Sequence, residues 1–116
     1  MKKKLLKLLL ESGKKKSKRK KGGGRYVIVR CKDAGVHAGE LVAYEGREAT
    51  LKKSRRLWYW KPLNGAAFLS GVANYGLHED SKVGAAVNIV LTETCEIIDC
   101  TPDAARSIDE APEHQP

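Results

Sequence analysis

The chain has 116 residues, enough for one small domain with a modest core. Its net charge of +8 is unevenly spread: residues 1–24 carry eleven Lys/Arg and one Glu, net +10, while residues 25–116 carry eleven Lys/Arg against thirteen Asp/Glu, net −2. A nucleic-acid domain ordinarily has a basic face of its own, so this balance argues against nucleic acid as the partner of the core, and no apolar run approaches the ~20 residues of a membrane-spanning helix.

Residues 1–24 read as a basic flexible arm. Leu5, Leu6, Leu8, Leu9 and Leu10 share one helical arc opposite Lys4, Lys7 and Glu11, the pattern of a short amphipathic helix. About ten residues are marginal for a lone helix in water. Lys7 interrupts the apolar run and no small-residue cleavage site follows, so an intracellular protein is expected rather than a secreted one. Ser12-Gly13, a lysine block and Gly22-Gly23-Gly24 then form a linker. Such an arm either attracts anionic partners or surfaces, or is simply solvated.

The domain is expected over residues 25–110, with a polar tail over 111–116. Tyr26-Val27-Ile28-Val29-Arg30-Cys31 is rich in strand formers. Asp33-Ala34-Gly35 is a turn, and residues 36–44 a second strand with Gly39 as a bulge or point of close approach. Glu45-Gly46 signals a hairpin, returning over residues 47–51. Residues 54–60 form a fourth strand. Asn64 is placed to cap a helix over 65–75, with Phe68, Val72 and Tyr75 on one stripe, Leu69 and Ala73 beside it, and small residues at Ala66, Ala67 and Gly71. Gly76 suits the position just past its end, and 77–84 reads as a loop. Residues 87–91 and 94–100 are strand-like, either separate or as one bent strand. Thr101-Pro102-Asp103 opens a second helix over 104–110: a capping residue, then Pro, then an acid. The expected class is α+β, a small antiparallel β-sheet with two short helices.

Three cysteines, Cys31, Cys95 and Cys100, include no Cys-x-x-Cys pair, which argues against zinc and for reduced, mostly buried thiols. His37, His78 and His114 lie in no recognisable nucleophile motif, and the glycines at 22–24 are not followed by Lys-Ser or Lys-Thr. No enzyme, metal or cofactor is expected. The distinctive segment is Ser54-Arg55-Arg56-Leu57-Trp58-Tyr59-Trp60, which holds both Trp residues of the chain. On a strand, Arg56, Trp58 and Trp60 take one face and Arg55, Leu57 and Tyr59 the other. Guanidinium groups match phosphate oxygens, and aromatic faces stack on bases. The competing reading has the Trp residues in the core and the Arg residues solvated. Arg30, at the end of the first strand, and Arg106, on the last helix, are further candidate cations.

Five segments in register resemble the phage Thoeris anti-defence proteins of the first described type. They are Val27-Ile28-Val29-Arg30, then Asp33-Ala34-Gly35-Val36-His37-Ala38-Gly39, then residues 54–60, then Gly65-Ala66-Ala67-Phe68-Leu69-Ser70, and Val90-Leu91-Thr92-Glu93-Thr94-Cys95-Glu96-Ile97-Ile98. The likeness spans about residues 26–108. It implies a sponge in the host bacterial cytoplasm that sequesters, without degrading, the cyclic ADP-ribose isomers made by TIR-domain proteins. It also implies dimers built into hexamers, with ligand pockets at subunit interfaces, and in some members cyclic trinucleotide binding. By motif, Arg30, Arg55, Arg56, Trp58 and Asn64 become candidate ligand residues, with Arg106 added from the last helix. Lys61-Pro62-Leu63-Asn64 lengthens the link before the Gly-Ala-Ala segment, and the loop 77–86 departs from the family pattern, so the identity of the nucleotide does not carry over. Two other readings stay open: a nucleic-acid or anionic-surface binder acting through the arm, and a small phage structural protein whose aromatics only pack.

Overall fold

The computed structural model describes residues 19–115. The expected amphipathic helix over residues 5–10 lies outside them. The described chain runs β1 (Lys20–Lys21), β2 (Tyr26–Cys31), β3 (Gly35–Glu45), β4 (Glu48–Tyr59), α1 (Leu69–Tyr75), β5 (Lys82–Val83), β6 (Val87–Leu91), β7 (Thr94–Asp99) and α2 (Pro102–Asp109). The seven strands form one antiparallel sheet in the order β5-β4-β3-β2-β7, with β1 also on β3 and β6 also on β4. With its two helices the fold is α+β, as the sequence indicates.

Two cores lie on opposite faces of the sheet. Ile28, Ala38, Leu57 and Val83 pack under Leu69 and Val72 of α1 and Ile108 of α2. Val27, Val29, Cys31, Leu41, Ala49, Leu51 and Leu91 fill the other side. Consecutive residues of β2 therefore serve both cores, which is why that strand reads as a continuous apolar run. The sheet is curled around the second core. Leu91 pairs with Ala49 of β4 and, after Thr92-Glu93, Thr94 pairs with Cys31 of β2, so two residues carry the chain between opposite edges.

Two strands expected from the sequence, 47–51 and 54–60, are one. The polar Lys52-Lys53-Ser54 that reads as a break is a bulge: Ala38 pairs with Arg55 and Glu40 with Lys52, leaving Lys53 and Ser54 opposite Gly39 alone. Lys53 takes a positive φ of 53° there. The extra residue reverses side-chain parity, so Leu51 faces the second core and Leu57 the first although both are odd-numbered. Gly39 is required by close approach: a Cβ would sit 2.9 Å from the Ser54 Cα and 3.0 Å from the Lys52 carbonyl oxygen.

The domain also begins earlier than residue 25. Lys20 and Lys21 pair with Tyr44 and Ala43, and Gly22 donates its amide to the Val42 carbonyl at 2.8 Å. Gly22, expected in a free linker, is buried where a side chain would collide with the Leu41 backbone. The first helix is shorter than the expected 65–75. Gly65 has φ 76°, outside helical space, and its amide closes a turn onto the Pro62 carbonyl. The cap is Phe68, in extended conformation and with no side-chain bond. α2 follows its sequence signal: Thr101 Oγ1 accepts from the Ala104 amide at 3.2 Å, with Pro102 and Asp103 in the first turn.

Candidate functional site

Residues 55–58 alternate as the sequence predicts, and this decides which arginine is internal. Arg55 and Leu57 point inward, while Arg56 and Trp58 are exposed. Arg55 is 5% exposed. Its Nε donates to the Gly84 carbonyl at 2.6 Å, and one terminal nitrogen donates to the Ile108 and Asp109 carbonyls at 3.2 Å each. The last two belong to the final turn of α2, where the Ile108 carbonyl also accepts the Ala111 amide at 3.2 Å and the carbonyls carry the negative end of the helix dipole. Arg55, one of the candidate ligand residues, is thus placed inside the fold rather than on its surface. Its guanidinium is committed to holding α2 and the segment before β6 onto the sheet.

Trp58 lies on the other face, 69% exposed. Lys82 Nζ stands 5.1 Å from its ring centroid, and the His114 ring 5.7 Å away, tilted by 39°. His114 reaches it because the polar tail docks: its amide donates to the Val83 carbonyl at 2.8 Å, next to a parallel bridge between Val83 and Glu113. Lys82 and His114 were not among the sequence candidates, and nothing local to either predicts the contact. Trp60 leaves the shared face expected for it with Trp58. The pairing of β4 with β5 is irregular between Leu57 and Tyr59, and Trp60 packs partly buried against the first core.

Arg30 continues the row of Ile28 on the helix-facing side of β2. It pairs with Val36 of β3 on one side and Glu96 of β7 on the other. Its Nε lies 3.0 Å from Glu96 Oε1, with both side chains about half exposed. Beyond the helices this row opens into a groove of about 410 Å³ lined by Arg30, Glu96, Ile98, Trp60, Phe68 and Ser70. Phe68 is 75% exposed. The sequence placed it on one stripe of a longer helix with Val72 and Tyr75. The turn at Gly65 starts the helix later, and the residues it buries are Leu69, Gly71, Val72 and Ala73. The signal that finds Phe68 is Gly65 itself, a residue suited to positive φ four positions before the helix.

The other candidates lie apart. Asn64 Oδ1 accepts from the Ala66 amide at 3.0 Å, closing a local turn rather than capping α1. Arg106 sits on α2, 3.7 Å from Asp103, and faces a small hollow beside Tyr26 and Lys53. Within one chain the six sequence candidates thus divide among separate surfaces and an internal clasp. Another hollow, about 690 Å³, is mostly basic and aliphatic, lined by Arg19, Lys20, Lys21, Lys52 and Val42 with Glu40 the one acid. Among the described residues, no three His, Cys, Asp or Glu side chains are grouped to hold a metal, and no helix is long and apolar enough to cross a membrane.

His37, paired with Arg56 across β3 and β4, is buried, with Nε2 2.8 Å from the Ala34 carbonyl oxygen. Burial pushes its pKa down, the Arg56 charge adds to this, and the Ala34 carbonyl opposes it. The neutral ring therefore donates Nε2–H to Ala34. All three cysteines are free. Cys31 and Cys100 are shielded, and burial pushes the Cys100 thiol up to about 12. Cys95, expected to be buried, is exposed.

Residues 24–108 match the model of a family described as a domain of unknown function (DUF6948), and the chain belongs to that family. No curated protein and no solved structure matches the chain.

Proposed function

We propose that the protein is a non-catalytic sponge for a cyclic nucleotide signal, a cyclic ADP-ribose isomer or a cyclic trinucleotide, acting for a phage in the host bacterial cytoplasm. The observation that carries this reading is the Arg30 groove, which joins a guanidinium to the aromatic faces of Trp60 and the outward-facing Phe68. A guanidinium matches a pyrophosphate, and an aromatic face stacks on a base. The resemblance to the Thoeris anti-defence proteins supplies the class of ligand, and Arg30 and Ala67-Phe68-Leu69-Ser70, within segments that carry it, also line this groove. Trp58 with Arg56 and Lys82 offers a second aromatic and cationic surface. Large apolar side chains left exposed, among them Leu63, Phe68, Tyr75, Val87 and Val90, support self-association to dimers and hexamers, in which separate surfaces of one chain meet those of another.

Calorimetric titration of the full chain with cyclic ADP-ribose isomers and with a cyclic trinucleotide, followed by mass analysis of the ligand released on heating, tests the reading. Tight binding of intact ligand, lost in Arg30→Ala and Phe68→Ala, is the expected result. Absence of binding, or release of a degraded nucleotide, refutes it. One observation favours a second reading. Arg19, Lys20, Lys21 and Lys52 gather around the 690 Å³ hollow, a cationic surface that suits a nucleic-acid backbone. Binding that weakens steeply with salt and vanishes with these four charges would assign function there.

A further inference from the structure

We propose that Glu96 reads a ribose 2′-hydroxyl, so that the Arg30 groove selects ribonucleotides over their 2′-deoxy counterparts; this rests on the reading of the groove as a nucleotide site. Arg30 and Glu96 are direct partners across β2 and β7. Their side chains leave the sheet on one face, side by side in the groove. The ion pair at 3.0 Å is about half exposed, and a pair of that kind contributes little to stability. The fold does not need it.

For a ligand held only by phosphate, Glu96 is an obstacle. It occupies Arg30 and repels the incoming anion. An ionised carboxylate only accepts hydrogen bonds, so its natural complement is a donor. A nucleotide has donors on the base amino groups and on the ribose; with the base held against Trp60 and Phe68 and a phosphate at Arg30, the donor that falls between them, beside Glu96, is a ribose hydroxyl. Neighbouring strands lie about 4.8 Å apart, so the sheet sets acceptor and cation side by side on the scale that separates a ribose hydroxyl from its phosphate. The pair engages Arg30 through Nε, so the outer edge of the guanidinium can still face a phosphate. Trp60 and Phe68 supply the base wall. The groove thus offers a separate group to base, ribose and phosphate. An acidic side chain on a ribose 2′-hydroxyl is a device of dinucleotide-binding folds. Here an unrelated sheet presents the same chemistry.

The test is calorimetric titration of the full chain with cyclic ADP-ribose and with cyclic 2′-deoxy-ADP-ribose, repeated on Glu96→Ala and Glu96→Gln. The wild-type chain is expected to bind the deoxy probe about tenfold more weakly, as for a lost hydrogen bond to a charged group in a part-exposed site. Glu96→Ala is expected to bind both probes alike, and Glu96→Gln, which keeps an acceptor oxygen, to retain part of the preference. Equal binding of both probes by the wild-type chain overturns this inference and leaves the nucleotide reading standing. A tenfold preference that survives in Glu96→Ala does the same. No binding of either probe overturns this inference, and it overturns the nucleotide reading as well when the other cyclic ADP-ribose isomers and a cyclic trinucleotide also fail to bind.

Discussion

Replacing Arg55 by Met removes the charge and the donors while keeping most of the side-chain volume. Three carbonyls then lose their guanidinium donor, at Gly84, Ile108 and Asp109. A hydrogen bond to a charged group is worth ~1.5–3 kcal/mol, and the three share one side chain, so their losses do not add in full. We expect a destabilisation of about 3–5 kcal/mol for the three bonds together. Against a total of ~5–15 kcal/mol for a native domain, that is a large part of the margin. At ~4–8 °C per kcal/mol for a domain of this size, the melting temperature should fall by on the order of 10–40 °C. Thermal unfolding followed by circular dichroism reads the shift. Arg56→Ala is the control: its side chain is exposed and its effect should stay within ~0.5 kcal/mol. An Arg55→Met protein melting within about 5 °C of wild type would refute the clasp. The same measurement guards the binding experiments, because a lost ligand in Arg55→Ala would report unfolding rather than contact.

Four further outcomes are expected. Gly39→Ala forces a Cβ to 2.9 Å from the Ser54 Cα, where only backbone can yield, and should cost ~1–3 kcal/mol in urea unfolding; an unchanged midpoint would show that the bulge is compliant. Ser54 is 1% exposed and its hydroxyl has no partner among the described residues, so Ser54→Ala should be neutral or stabilising by about 1 kcal/mol, and a clear loss of stability would contradict it. Since the folded pKa of His37 lies below its ordinary 6.5, the unfolded chain takes up the proton first as pH falls. Stability from this residue should therefore be complete above about pH 6.5 and decline below it, and a His37→Gln chain should show a flatter acid limb; parallel pH curves would exclude the residue as the cause. With an alkylating reagent on the folded protein, Cys95 should label well before Cys31 and Cys100, and equal labelling by peptide mass mapping would refute that burial pattern.

Short-range chemistry is what the sequence alone determined. The β-branched run of β2, the turn around Gly46, the Thr-Pro-Asp opening of α2 and the alternation over residues 55–58 each depend on a few neighbouring side chains, and each is found in the fold. These fix the α+β class and identify the arginine and aromatic residues as the chemistry to watch. Only the tertiary structure decided where that chemistry points. A polar Lys52-Lys53-Ser54 break became a bulge because β3 brings Gly39 against it. The parity of a strand is a local property until a partner inserts a residue, and then opposite cores claim Leu51 and Leu57. Arg55 became internal because three carbonyls remote in sequence converge on it. Glu96, ordinary in sequence, gained meaning only when pairing set it beside Arg30, and Phe68 when Gly65 delayed the helix and left the ring facing outward. Residues far apart in the chain carry no local signal of their meeting, so the clasp and the groove belong to the fold rather than to any segment of the sequence.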